Sequence, residues 1–560
     1  MRRFLAPFDL PLDFPKTLAY GVTGIIATVA IAGLALQLRQ PNRATVGLKS
    51  LPPLPQDPTI QVYTNQNPAK EFTDRYRQQQ RFGDDLEQII IDAIAQAESS
   101  IEIAVQEIRL PGIAKALRDR QQAGIPVRVV IENTYNRPDS AYSTVELDTL
   151  PDRSRNRILE GRKLIDQNRD GQLSDTEIAE NDALIILQNA QIPLIDDTAD
   201  GSKGSDLMHH KFVVIDGKRT IVTSANFTLS DMVGDFGSAH SRGNPNTLLD
   251  IQHPGFAAAF QTEFNLLWGD GPGGKRDSRF GVKKPHRDRQ TFTIGNSEVS
   301  LQFSPSASAI PWERSTNGLI AAELSKAQSS IDLALFVFSD QALVNAIEPL
   351  HQRGIQTRAL IDSGFVYRSY SEALDMLGVT LASTTCQTES HNRPWTKPAN
   401  FVGTPKLPPG DLLHHKFGVI DRRTVLVGSH NWTEAANRGN DEVLLSITNP
   451  TIAAHYQREF DRLSIGAIWG IPPAIQKKIK TQNCDTPATS SAPNSTEPNP
   501  ANKINLNTAT IEELDRLPGI GKKTAQRIIE QRPIRSIDDL RQIPNLKPKT
   551  IQTLEAQATW

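Results

Sequence analysis

Two ten-residue stretches, LMHHKFVVID at Leu207–Asp216 and LLHHKFGVID at Leu412–Asp421, place histidine, lysine and aspartate at the same offsets twice in one chain. Each is followed by a Ser-x-Asn, with Ser224 and Asn226 in TSAN and Ser429 and Asn431 in GSHN. An imidazole can attack or protonate, a lysine supplies positive charge, and serine and asparagine supply neutral donors. Such a set suits an anionic tetrahedral group better than a neutral carbonyl. Two sets would surround one phosphate. One imidazole would attack phosphorus while the other protonates the leaving oxygen, and the roles would reverse when water releases the phosphoryl group. Two histidines in different roles account for the duplication.

The elements that must position these residues are legible around them. In each copy an apolar run meets a polar turn, Asp216-Gly217-Lys218-Arg219 or Asp421-Arg422-Arg423-Thr424, and then a β-branched run, which is the pattern of a β-hairpin. A two-residue turn would set Lys211 opposite Ser224 and His209 opposite Asn226, and Lys416 opposite Ser429 and His414 opposite Asn431. Cross-strand partners on one face stand roughly 5 Å apart. His210 and His415 would then face the other side as structural residues. Asp216 and Asp421, at the turns, read as orienting or structural.

The repeat extends further. LEQIIIDAIAQAESSIEIAVQEI (Leu86 to Ile108) matches GLIAAELSKAQSSIDLALFVF (Gly318 to Phe338), each reading as a helix followed by a buried strand. A second helix and a glycine turn into another strand follow at Ala123–Asn133 and Arg353–Ser363. The expectation is α/β architecture built from two like units. The interval from Gly124 to His209 exceeds that from Gly354 to His414 by 25 positions, so the first unit holds an insertion. It contains DQNRDGQLSDTE, 166–177, whose Asp166, Asn168, Asp170, Gln172 and Glu177 fall at the ligand places of a calcium loop, with Gly171 for the turn. Ca²⁺ is expected as a structural ion; a solvated acidic loop is the alternative.

In the motif H-x-K-x4-D followed by G-S-x-N, the chain resembles the phospholipase D superfamily over roughly Ile60 to Pro472. The second copy matches throughout; the first has Thr223 in place of the glycine. The resemblance implies two pseudo-symmetric sheets packed together, a phosphohistidine intermediate and no cofactor for catalysis. It carries the nucleophile to His209 and the acid to His414. It also implies a downstream acidic residue that orients histidine, a place that Glu442 fits and that Asn246 occupies in the first copy.

Composition excludes little beyond a whole-protein basic field, since the formal net charge is −2 over 560 residues. Cys386 and Cys484 are too few for a four-thiolate zinc site; they form one disulfide if the chain is exported, or remain a free pair. Thr17–Leu38 is uncharged and long enough to cross a bilayer, and reads as a membrane anchor or a cleaved signal peptide. Either places the bulk outside the cytoplasm, anchored or secreted. The expected organisation is an N-terminal segment 1–16, the apolar segment 17–38, a Pro-rich linker 39–58, a first phospholipase D-like domain 59–275, a linker 276–298, a second such domain 299–472, a disordered linker 473–502 and a tail domain 503–560. The tail carries INLNTATIEELDRLPGIGKKTAQRIIEQR, a helix-hairpin-helix pattern. Gly519 and Gly521 would let backbone N–H groups meet a phosphate, with Lys522, Lys523 and Arg527 nearby. It resembles the small all-α domain of competence-type DNA receptors, which implies sequence-independent DNA binding. A DNA-binding nuclease is the leading expectation. A membrane-tethered phospholipase D or phosphatidyltransferase acting on phospholipid is the alternative, and a non-enzymatic DNA-binding or uptake protein the third.

Overall fold

Apolar β-branched runs that follow serine pairs must be buried on both faces, and the helices beside them supply the cover. The computed structural model describes residues 51–481, apart from 203–204, 384–385, 387 and 390, together with part of 504–559. In the first unit the helix Leu86–Ala95 leads to the strand Ile101–Val105; the helix Pro111–Gln122 and Gly124 (φ 86°) lead to Val127–Ile131. In the second, Thr316–Leu324, Ser330–Leu335, Gln341–Gln352, Gly354 (φ 94°) and Gln356–Ile361 repeat the series.

Each unit centres on the same five strands. The first sheet has seven, in the order Ile60–Thr64, Thr247–Gln252, Arg219–Thr223, Lys211–Ile215, Ile101–Val105, Val127–Ile131, Leu194–Asp196. The second has nine, with Val443–Thr448, Thr424–Gly428, Lys416–Ile420, Ser330–Leu335 and Gln356–Ile361 in the equivalent places. The two inner faces share one core, in which Phe212, Phe256 and Phe260 of the first unit meet Phe417, Tyr456 and Phe460 of the second. Separate cores close the outer faces. The insertion in the first unit forms helices, among them Asp152–Ile165, Asp175–Asn181 and Ala183–Asn189.

The hairpins depart from the expected register. Phe212 pairs with Val222 and Ile215 with Arg219, and Gly418 pairs with Leu426 and Ile420 with Thr424, one position away from the two-residue turn. The loop holds three residues instead of two: Asp216 (φ 54°) and Gly217 (φ 62°) are both left-handed, and Lys218 N donates to Ile215 O at 3.0 Å. Lys218 is an additional residue outside the ladder, its carbonyl taken by His253 N at 3.0 Å; Arg423 gives its carbonyl to Asn449 N in the same way.

Asp216 and Asp421 therefore lie at the turn ends of their strands, away from the histidines, and their role is structural. Asp216 accepts from the amides of Glu98, Ser99 and Ser100, and Asp421 from those of Gln328, Ser329 and Ser330. The serine pairs that end each first helix are thus fastened to the hairpin turns. At this same end the chain before the first strand is pinned down. Arg458 Nη1 donates to Pro52 O at 2.8 Å, and Asn449 Nδ2 donates to Asp57 Oδ2 at 3.0 Å.

The apolar segment Thr17–Leu38 and Cys484 lie outside the described residues; Cys386 is disulfide-bonded. No helix among the described residues is long and apolar enough to cross a membrane. In the tail, the helix Lys522–Glu530 packs through Ala525 and Ile528 on Leu506, Leu514, Ile534 and Leu540. Ile504–Asn505 pairs with Ala558–Thr559, so this unit is not purely helical.

Candidate active site

The repeated histidines stand where the two units meet. His209 N donates to Asp441 O at 3.0 Å and Asp441 N to Leu207 O at 2.9 Å, tying the first hairpin to the segment before the strand Val443–Thr448. Reciprocally, Leu412 N donates to Asn244 Oδ1 at 2.7 Å. His209, Lys211, His414 and Lys416 are all buried, the lysines almost completely. Each ammonium folds back on its own strand: Lys211 Nζ donates to His209 O at 2.9 Å and to Gln106 Oε1 at 3.2 Å, and Lys416 Nζ to His414 O at 2.7 Å.

The orienting groups cross between units. His209 Nδ1 lies 2.6 Å from Glu442 Oε2, and His414 Nδ1 lies 3.1 Å from Asn246 Oδ1. Glu442 Oε1 accepts from Asn440 Nδ2 at 3.1 Å. With the carboxylate accepting, the proton of a neutral His209 sits on Nδ1 and the Nε2 lone pair is free. Asn246 is oriented by its own donors, since Nδ2 bonds the carbonyls of Asp231 and Asn244, each at 3.1 Å. Its oxygen must therefore face His414.

The serines are placed differently from the expected phosphate donors. Ser224 Oγ donates to Asn246 Oδ1 at 2.7 Å and accepts from Thr247 N at 3.1 Å; Ser429 Oγ accepts from Val443 N at 3.1 Å. Both support the residues that orient the histidines. Thr223, in the place of the motif glycine, donates to Thr247 O at 2.7 Å and so contacts the neighbouring strand. At Gly428 (φ 153°) a Cβ would come within 2.1 Å of Val443 O, so glycine is required there. Asn226 and Asn431 each enclose an Oδ1 with no protein partner, and both follow their serine by two residues at the same margin.

His210 and His415 face the shared core. His210 Nε2 is 3.2 Å from Glu263 Oε1 and His415 Nε2 is 2.8 Å from Glu459 Oε1. Lys284 also pairs with Glu263 and lies 2.5 Å from Asp441, linking this buried network to the interface strand.

The electrostatics follow from enclosing four basic groups together. Burial pushes His209 and His414 well below the ordinary histidine value, and both lysines push them further. Burial brings Lys211 down to about 8 and Lys416 to about 7, the latter also through repulsion from Lys211. Burial likewise raises Glu442, against the opposing pull of His430 and Lys211. An anion between the two units would reverse the penalty on the cations.

The pseudo-symmetry is broken in the lining. Gln106 accepts from Lys211 in the first unit, whereas Phe336 holds the equivalent place in the second. Its ring lies 5.0 Å from His414 and 4.8 Å from Phe365, with Lys416 Nζ 5.2 Å from its centroid. Sequence reasoning passed over Phe336, Asn244, Asn440 and Asp231. The signal for Phe336 and Asp231 was the mismatch between the repeats, and for Asn244 and Asn440 it was their match two residues before Asn246 and Glu442.

The loop 166–177 is a helix–loop–helix. Gly171 (φ 81°) donates its N–H to Asp166 Oδ2 at 3.0 Å, and the amides of Asp170 and Gln172 donate to Asn168 Oδ1 and Asp170 Oδ1, each at 2.8 Å. Asp166 Oδ1 has no partner. Glu177 is turned to the amide of Gln167 at 3.0 Å and the hydroxyl of Ser174 at 2.8 Å, so it must swing to join the others around a cation. Among the described residues the acidic trio with ligand atoms within 4.8 Å of one another is Asp200, Asp270 and Asp277. Gly519 and Gly521 lie outside the described residues, and of Lys522, Lys523 and Arg527 the backbone forms the start and middle of one helix.

The family model described as cardiolipin synthase, PLD-like domain, matches residues 90–268 and 320–464, and a helix-hairpin-helix motif model matches 499–559. Mitochondrial cardiolipin hydrolase of Xenopus tropicalis is 31% identical over 140 residues, 25% of this chain and 57% of that protein. The Xenopus laevis protein of the same name is 27% identical over 184 residues, 32% of this chain and 78% of its own. A phospholipase D of Rickettsia felis is 26% identical over 160 residues, 29% of this chain and 66% of that one. Among solved structures, phosphatidylserine synthase of Haemophilus influenzae aligns over 76% of this chain and 93% of that one, with TM-score 0.45 and 14% identity. Nuc, a phospholipase D family member of Salmonella typhimurium, covers 38% of this chain and 97% of its own, with TM-score 0.23 and 19% identity.

Anion affinity should fall as pH rises. Lys416, brought down to about 7, is charged below that pH and loses its proton above it, so a dianion of fixed charge binds best on the acid side. Competitive inhibition by sulfate, measured at constant ionic strength, is expected to weaken about fivefold from pH 7 to pH 8 as Lys416 goes from half to about one-tenth protonated. A flat profile over that range would show that Lys416 does not titrate there.

Proposed function

The chain belongs to the PLD-like family, whose model spans more than half of its residues, and from that premise we propose that it is a phosphodiesterase acting on DNA through a phosphohistidine. The observation that carries the reading is the meeting of His209 and Lys211 with His414 and Lys416 between the units. His209 Nε2 attacks phosphorus, and the bond to the leaving oxygen breaks. His414 Nε2–H gives that oxygen its proton. Water then passes a proton to His414 and displaces His209 from phosphorus. The assignment of nucleophile is supported by Glu442, whose negative charge stabilises the imidazolium formed when Nε2 is phosphorylated. The lysines neutralise the non-bridging oxygens.

DNA is preferred as substrate because the helix-hairpin-helix match at 499–559 adds a backbone-gripping unit to the cleft. The Phe336 and Phe365 pair beside His414 offers stacking faces that suit a base on the leaving side. Phospholipid is the second reading, favoured by the names of the curated relatives, cardiolipin hydrolase and phospholipase D. We also propose Ca²⁺ as a structural ion in 166–177, on the strength of its all-oxygen donor set, with no metal in catalysis. Export, with Thr17–Leu38 as anchor or cleaved signal, rests on that segment's composition.

His209→Ala and His414→Ala are each expected to lower turnover by roughly a thousandfold or more, as loss of a nucleophile or its proton donor does. His210→Ala and His415→Ala should instead lower the melting temperature, because they leave Glu263 and Glu459 short of a partner. Equal loss of turnover in all four variants would overturn the division of roles.

Removing the chain after Asn502 should spare hydrolysis of a small phosphodiester and weaken binding of long duplex DNA. The log–log slope of affinity against salt should shrink by about the number of phosphates that the tail neutralises. Identical affinities and slopes for intact and shortened chains, together with release of headgroup from phospholipid vesicles and no cutting of plasmid, would shift the substrate to lipid.

Calcium should raise the melting temperature and EDTA should lower it, with turnover in a short assay unchanged. Turnover that stops on chelation while the melting temperature holds would overturn the structural role.

A further inference from the structure

We infer that Asp231 is a positioning residue for His414, supplying the negative charge that Asn246 does not. The two positions that orient the imidazoles are equivalent, since Asn246 and Glu442 each immediately precede the matching strands Thr247–Gln252 and Val443–Thr448. Glu442 gives His209 both a hydrogen-bond acceptor and a charge. Asn246 gives His414 the acceptor alone. Its Nδ2 is committed to two carbonyls, so its oxygen fixes the proton of His414 on Nδ1 and leaves Nε2 to face the substrate. A neutral amide adds no charge to favour the imidazolium that His414 must be before it can donate from Nε2.

The missing charge stands next to it. Asp231 Oδ1 is 3.6 Å from His414 Nδ1, and the residue is 3% exposed. The carboxylate is held by Asn244 Nδ2 on Oδ1 at 2.7 Å and by Asn226 N on Oδ2 at 2.8 Å, while the Asp231 carbonyl takes Asn246 Nδ2. One residue thus orients the amide and places the charge beside the ring. In the second unit the position seven residues after the motif serine is Ala436, where the first unit has Asp231 seven after Ser224. Each unit contributes one carboxylate to the opposite histidine, from two different places in the repeat.

The other charged groups around His414 are positive or one step removed. Lys416 lies on its own strand, Lys211 and His209 come from the other unit, and His415 is adjacent in the chain. Asp362 accepts from Leu413 N at 2.8 Å and acts on Lys416. Asp231 also opposes the fall of both lysines. This assignment rests on the phosphodiesterase reading only for its kinetic consequence.

The full chain is assayed on bis(p-nitrophenyl) phosphate, with kcat followed against pH, and the His414 imidazole is titrated by NMR. Removing an anion lowers the imidazole value, so Asp231→Asn should move the alkaline limb of kcat and the NMR titration to lower pH by about one unit or more. Adding Asn246→Asp to that variant should bring both back. An unmoved titration in a folded Asp231→Asn protein, or no recovery in the double variant, overturns the inference. Should Asp231→Asn fail to fold, Asn246→Asp alone must raise the His414 titration, and a failure to do so is equally decisive. If the wild-type chain turns over no phosphodiester at all, the functional reading falls while the NMR titration still decides the role of Asp231.

Discussion

Two ammonium groups and two imidazoles enclosed at one interface cannot all carry charge, and the architecture of this chain follows from that constraint. Burial depresses all four, and proximity of the lysines to both histidines compounds it. Left uncompensated, such a cluster would force the units apart. Carboxylates are therefore brought in from the opposite unit, and the backbone around residues 207–209 and 439–441 is stitched across to hold them. A monoanionic phosphoryl group placed among them would relieve the same repulsion, and a neutral ester would not.

Much of this was legible in the chain because the two copies could be read against each other. The helix–strand–helix–strand series, the face shared by histidine and lysine, and the turning of His210 and His415 to the other side all come from local periodicity. Local information fails where partners are distant. Nothing near His209 indicates that its carboxylate is Glu442, since the pairing exists only once the two sheets are face to face. The hairpin register was missed for a subtler reason: Asp216 and Asp421 join the turn instead of ending their strands, so each loop holds three residues, and its last, Lys218 or Arg423, offers its carbonyl to a helix start 35 or 26 positions downstream. That single extra residue also explains why Ser224 and Ser429 serve the strand beyond and not the lysine opposite. The aspartates of the motif were legible as turn residues, and their partners, the serine pairs, were visible in the repeat without any hint that the two were joined.

Duplication supplies a two-fold frame, but the proposed reaction asks its two histidines to do different things, and the frame is altered beside them. Gln106 against Phe336, Asn246 against Glu442 and Asp231 against Ala436 are among the positions at which the halves differ beside the two histidines. The five central strands and the turn clasps, which carry no directional chemistry, remain alike. Symmetry is kept in the parts that bear load and given up in the parts that face substrate.

The clasp at the start of the described chain bears on access. Pro52 and Asp57 are fixed to the helix Pro450–Ser464 and its cap, at the turn end of the strands whose other ends present His209 and His414. Across such strands the two ends lie about 20 Å apart. Residues 52–57 and the reactive groups thus occupy opposite poles, as a handle and a blade do, and the clasp itself covers no part of the reactive pole.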